Sequence, residues 1–356
     1  MSTQIVNVAR FARNIACDFL GIFKHYDVIF LASKVNKILN VGGIGNSDNP
    51  PIPNSELWST GPIDQCQTIP DLKDKHNGAI SGFVDGQPTI CGGYYPDTDT
   101  YSKQCFRYDK ELNDFVPSEN LKFSVAFAPY AQWQGTNSIF LVGGQSMENG
   151  NLEILNSIQI IGHTNTWTVP DLTFTCSCMV HLSGNTYFLM GGRSDTVTYS
   201  DKTFVLEWDL ESKSPSKYEG PTLNHGRNRH MCGKIEDAVT NKKYIIVIGG
   251  LIETGIKKSC EYLEYSNDDG HWSMTEWNGC SYVDVPIAGG KAISDPESGD
   301  LLFIGGIDEN ENVSKNSVYR LSVNNNIWRW FLEDNTLQAE RSLHTSLFVP
   351  DDKLSC

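Results

Sequence analysis

Short apolar runs recur along the chain, and each stops on a pair of glycines. They are "KILNVGG" (Gly42, Gly43), "PTICGG" (Gly92, Gly93), "SIFLVGG" (Gly143, Gly144), "TYFLMGG" (Gly191, Gly192), "KYIIVIGG" (Gly249, Gly250) and "LLFIGG" (Gly305, Gly306). The first glycines are spaced by 50, 51, 48, 58 and 56 residues. Each run is rich in Ile, Val, Leu and Phe and is bounded by polar turn residues, which predicts a buried strand. Glycine after a strand indicates positive φ or close approach of another backbone. One pair would be turn punctuation; six pairs after the same apolar tail define a repeat. The further pair Gly289-Gly290 lacks the apolar run and breaks the spacing, and it is read as incidental.

Further strands surround each pair. A moderately apolar segment precedes it: 76–84, 123–133, 175–182, 229–235 and 287–294. A variable polar loop and a third strand follow it, at 104–109, 156–162, 202–210, 259–265 and 316–323. A polar turn then leads to a fourth strand, which carries Trp167, Trp272 or Trp328 in three units. Four antiparallel strands in about 50 residues, with no helical period, make a propeller blade. The expected fold is all-β: a six-bladed propeller with four strands per blade.

These motifs resemble the kelch-repeat family, in which a diglycine ends the second strand, a tyrosine lies in the third and a tryptophan in the fourth. The diglycines are complete in all six units. Tyr108 stands at or near the tyrosine position, and Trp167, Trp272 and Trp328 at or near that of the tryptophan; the second unit has Phe115 there. The resemblance covers roughly residues 34–356. It implies a propeller whose loops bind a protein partner, although the family also includes carbohydrate-active and oxidase-type enzymes that work at the channel mouth. No BTB domain precedes the repeats, so the adaptor role of kelch-like proteins lacks its other half.

The ends of the repeat region show how the ring closes. The first diglycine leaves room for a second strand before it but little for a first. The segment "RSLHTSLFVPD" (341–351) begins like the first strand at "RNRH" (227–230) but has no diglycine after it. The C-terminal strand 342–349 is therefore expected to complete the N-terminal blade beside strands near 37–43, 54–58 and 64–69, removing two exposed edges. Arg341, His344, Arg227 and His230 are then structural rather than catalytic. Residues 1–33 form an extension of unclear role. Asp18, Lys24, His25 and Asp27 interrupt its apolar residues, which argues against a signal or a membrane span, while Arg10 and Arg13 without acids faintly resemble a presequence.

Composition narrows the partners. The chain of 356 residues is 39% hydrophobic and 20% charged, with a net charge of −15. It has no basic run, so nucleic acid is not an expected partner. A monomeric propeller with a protein partner and no cofactor is expected. The ten cysteines show no paired metal-ligand spacing. Their blade positions point instead to bridges Cys91–Cys105, Cys260–Cys280, Cys178–Cys232 and Cys66–Cys356, leaving Cys17 and Cys176. Such pairing places the protein in an oxidising, extracellular compartment; free thiols in a cytoplasmic protein are the alternative. The sequon Asn312-Val313-Ser314 agrees with secretion. No hydrolase elbow, phosphate loop or zinc-protease motif occurs. "SNDDGHW" (266–272) nearly matches a structural Asp-box turn. Arg193, Arg227, Arg229, Glu253 and Asp308 are the candidates for an ionisable channel mouth, and the loops 45–54, 94–103 and 146–156 for a contact surface.

Overall fold

The apolar runs that end on glycine are the second strands of six antiparallel sheets. The computed structural model describes residues 37–45, 55–60, 68–73, 76–133, 137–148, 150–162, 166–168, 172–195, 198–208, 215–256, 259–268, 271–280, 288–296, 298–308 and 313–355. Blade 2 is Ile80–Val84, Gln87–Cys91, Cys105–Asp109 and Asp114–Ser118. Blade 3 is Tyr130–Trp133, Ser138–Val142, Ser157–Ile161 and Thr166–Thr168. Blade 4 is Cys178–Ser183, Thr186–Met190, Thr203–Glu207 and Ser216–Glu219. Blade 5 is Met231–Glu236, Lys243–Ile248, Cys260–Asp268 and His271–Met274. Blade 6 is Lys291–Ser294, Leu301–Ile304, Val318–Asn324 and Ile327–Leu332. The described residues form a six-bladed β-propeller.

Blade 1 is assembled from both ends of the repeat region. Lys37–Val41 pairs with Ser55–Ser59 on one side and with the C-terminal strand Thr345–Val349 on the other, in the register Lys37 opposite Val349 and Val41 opposite Thr345. The expected outer strand near 64–69 falls mainly outside the described residues, as do residues 1–33.

Six apolar clusters hold the ring, one between each pair of adjacent blades. Leu39, Ile90 and Tyr108 join blades 1 and 2; Phe140, Tyr187 and Trp208 join blades 3 and 4; Ile38, Trp58 and Ile304 join blades 6 and 1. Burying a side chain of this size contributes about 1.5–3 kcal/mol, and the closing strand is fastened by Leu347 and Val349 in the cluster between blades 1 and 2.

The glycines explain the spacing of the repeat. First glycines have φ between +57° and +68°, second glycines between +89° and +108°. The first N–H bonds within its own blade, as Gly92 does to the Gln104 carbonyl at 2.9 Å. The second N–H reaches the next blade: Gly43 donates to His76 at 2.9 Å, Gly93 to Val125 at 2.8 Å, Gly144 to Phe174 at 2.8 Å, Gly192 to Arg227 at 2.7 Å and Gly306 to Arg341 at 2.8 Å. A Cβ on Gly305 would stand 2.5 Å from the Arg341 carbonyl oxygen. The close backbone is thus the neighbouring blade's, which allows no side chain.

Two of the segments read as loops are β-hairpins: Tyr94–Tyr95 with Thr100–Tyr101, and Gln145–Glu148 with Asn151–Ile154. Leu251–Ile252 with Gly255–Ile256 and Ile307–Asp308 with Val313–Ser314 form shorter ones. Their polar composition hid the pairing, because the residues that they bury, Ser146, Asp308 and Ser314, are polar and give no apolar alternation. Residues 46–54 of the first such loop lie outside the described residues.

Candidate functional site

Just before each inner strand the chain makes one residue with positive φ. In blade order from blade 1 these are Leu343 (54°), Gly78 (65°), Phe127 (56°), Cys176 (52°), Arg229 (51°) and Gly289 (69°). Their main chains are bonded head to tail around the axis. Gly78 N–H donates to the Leu343 carbonyl, Phe127 to Gly78 and Cys176 to Phe127, each at 2.8 Å. Arg229 donates to Cys176 at 2.9 Å, Gly289 to Arg229 at 2.7 Å, and Leu343 to Gly289 at 2.6 Å, closing the circle. The result is a collar of six hydrogen bonds, one per blade. The residue before each collar position bridges to the one after the diglycine, as Asn77 does to Tyr94 and Asn228 to Leu251, so the hairpins rise beside the collar.

Gly289 is therefore not incidental. It is the collar residue of blade 6, and a Cβ there would stand 2.8 Å from the Leu343 side chain. Gly78 gives the same clearance to the Phe127 ring. The sequence signal is a collar residue that in four of the six blades lies between small or short polar residues ("NGA", "AFA", "TCS", "AGG") and in two precedes His ("NRH", "SLH"). It is weaker than the diglycine and was overlooked.

The proposed mouth residues do not converge. Arg227 is fully buried in an ion pair with Glu261, and its guanidinium also donates to the Gly249 carbonyl at 2.9 Å. Arg341 repeats this in blade 1, pairing with buried Glu56 at 2.8 Å and donating to the Gly42 carbonyl at 3.1 Å. Both clamp the third strand of a blade to its diglycine. Arg193 lies over the Tyr199 ring, 5.6 Å from its centroid. Glu253 is exposed in a hairpin turn, and Asp308 is buried in the first strand of another hairpin. Of the five, Arg229 alone lines the channel. His230 and His344 are buried beside it. Burial, reinforced by Arg227, holds His230 down to about 3; burial, reinforced by Arg341 and Lys291, holds His344 well below the usual imidazole range.

Deeper in the channel is a constellation that sequence reasoning missed. Tyr130 of blade 3 bonds through its hydroxyl to Thr345 of blade 1 at 2.7 Å and to Ser81 of blade 2 at 3.2 Å. Lys291 of blade 6 crosses the axis to place its ammonium 4.9 Å from the centre of the Tyr130 ring. Burial alone would raise the Tyr130 phenol; the Lys291 charge and the hydrogen bonds from Ser81, Thr345 and Lys291 outweigh it and lower the value. Nothing in the spacing of Tyr130 and Lys291 marks them, because they lie on opposite blades.

Three cysteine pairs stand at bridging distance. Cα separations are 4.1 Å for Cys91–Cys105, 5.3 Å for Cys260–Cys280 and 5.9 Å for Cys178–Cys232. The first lies within blade 2 and the second within blade 5, whereas the third links the inner strands of blades 4 and 5. Cys176 is free in the collar. Cys17, Cys66 and Cys356 lie outside the described residues, as does the sequon residue Asn312. Among the described residues no cluster of ligating side chains could hold a metal ion, and no helix is long and apolar enough to cross a membrane.

No family model matches the sequence, and no curated protein matches it. Matches of structure are numerous, with 243 chains. One, described as the structure of YjhT, is 13% identical; the alignment covers 78% of this chain and 88% of that one, with a TM-score of 0.58. Likeness at that identity establishes the propeller fold and nothing finer.

Proposed function

We propose that the chain is a kelch-type binding protein that presents the hairpin-bearing face of its propeller to a protein partner, with the enzymatic reading of the channel as the alternative. The observation that carries this is the collar. It surrounds the axis with backbone bonds, four of the five ionisable mouth candidates lie away from it, and the hairpins stand around it. They offer Tyr94, Tyr95, Tyr101, Leu251 and Ile252 partly exposed and Leu152 45% exposed. Aromatic and apolar side chains within a polar rim are the composition of protein-binding hot spots. Retention of all six diglycines and of Tyr108, Trp167, Trp272 and Trp328 supports the kelch assignment. The three cysteine pairs support an oxidising, extracellular setting. The Tyr130–Lys291 pair is what the alternative rests on, since a phenol lowered by an adjacent ammonium suits proton transfer.

The test is capture of partners from the natural source on immobilised protein, identified by mass spectrometry. A triple variant Tyr94→Asp, Tyr101→Asp, Leu152→Asp should lose the partner, while Phe331→Asp on the outer strand of blade 6 should keep it. A partner retained equally by both variants, or no partner at all, would refute the proposal.

A further inference from the structure

We propose that the central channel binds a small oxyanion between Lys291 and Arg229. Both side chains line one cavity of about 70 Å³ directly at the collar, and Lys291 also lines the adjoining cavity of about 150 Å³. The two cavities adjoin, sharing Ala128, Ser177, His230, Gly290 and Lys291. A water occupies about 30 Å³ of liquid, so the cavity that both cations line has room for about two waters, the size of a small oxyanion, with the larger space adjoining it.

Charge is the argument. The chain carries 43 acidic against 28 basic residues, yet no carboxylate lines either cavity among the described residues. The buried arginines Arg227 and Arg341 each have a carboxylate partner. Lys291 has the Tyr130 ring and hydroxyl instead, and Arg229 joins no ion pair among the described residues. Two half-buried cations facing one cleft without a counter-charge focus a positive potential there, which favours a bound anion.

Ser177 and His344 line the cavity but turn to the diglycines: the Ser177 hydroxyl donates to the Thr175 carbonyl at 3.4 Å, and the His344 ring lies against Gly305. The donors left to the ligand are one ammonium and one guanidinium, drawn from blades 6 and 5. Tyr130 is a positioning residue: its ring face holds the Lys291 ammonium over the axis, and Thr345 and Ser81 hold its hydroxyl. The bidentate fork of Arg229 favours an oxyanion over a halide.

The experiment is calorimetric titration of the full chain in chloride buffer with inorganic phosphate and, separately, with acetate. Phosphorus NMR line broadening of phosphate gives an independent readout. Saturable binding of at least one probe is expected, weakened at least tenfold by Lys291→Met and by Arg229→Met. Lys291→Arg should retain it, and Tyr130→Phe should retain most of it because the ring remains. Should Lys291→Met fail to fold, Arg229→Met and Lys291→Arg still decide the matter. Failure of both probes to bind saturably, or binding indifferent to both methionine substitutions, would overturn the proposal. Neither result bears on partner capture by the hairpin face.

Discussion

Replacing Arg341 with methionine tests the physics of closure most directly. Arg341 is fully buried, and the Glu56 side chain that it pairs with at 2.8 Å is 4% exposed. Glu56 also accepts the Gln338 N–H at 2.7 Å. Burial already holds its carboxyl above the ordinary value, against the lowering pull of Arg341. Arg341→Met conserves most of the volume but strands the carboxylate. Breaking a buried pair in this way costs about 3–5 kcal/mol. At about 2.1 cal/mol/K of unfolding entropy per residue, a unit of this size should melt roughly 4–8 °C lower. The pH dependence follows from sign. A carboxyl whose folded pKa is raised binds its proton more tightly folded than unfolded, so its contribution becomes more unfavourable as pH rises above the ordinary carboxylate value. The substitution raises Glu56 further and widens that window. The stability deficit should therefore be largest near pH 7.5 and shrink towards pH 5.5, by up to about 1.4 kcal/mol per pH unit. Adding Glu56→Gln to the variant should recover part of the loss. Calorimetric melting of wild type, both single variants and the double at the two pH values supplies the numbers. A deficit below about 1 kcal/mol, or one that grows on acidification, would refute the reasoning.

Three other outcomes are expected. Gly250→Val places a branched side chain at φ +89°, with its Cβ 2.6 Å from the Asn228 carbonyl oxygen, and should destabilise by a few kcal/mol; melting within a degree of wild type would discard the blade-to-blade account of the diglycine. His230 is held down to about 3 by burial and by Arg227, so the folded state binds fewer protons than the unfolded below about pH 6.5, and stability should fall with acidification from there; His230→Gln should flatten that slope in denaturant titrations at pH 4.5–7, and an unchanged slope would show that the ring is not excluded from water. Non-reducing peptide mapping of protein from its natural source should recover Cys91–Cys105, Cys260–Cys280 and Cys178–Cys232, whereas alkylation of every thiol without reductant would remove the support for an extracellular setting.

What could be read from the sequence follows the range of the interactions. The diglycines were legible because one constraint, the next blade's carbonyl where a Cβ would lie, acts on the first glycine of five of the six pairs among the described residues. Closure was legible for a similar reason, since "RSLH" and "RNRH" put the same Arg in the same clamp on Glu56 and Glu261. The hairpins were missed because the residues that they bury are polar and give no apolar alternation, and Gly289 because its clearance is owed to Leu343, in a different blade. Of the channel, only Arg229 was within reach. Lys291 and Tyr130 meet only because six repeats of about 50 residues bring blade 6 opposite blade 3, and the repeats themselves say nothing about what faces the axis. A propeller separates the two kinds of information: contacts between neighbouring blades fix the ring and recur as a motif, whereas contacts across the channel occur once each. The residues free to acquire a function at the axis are therefore those a repeat motif leaves unmarked, and Arg229 and Lys291 are of that kind.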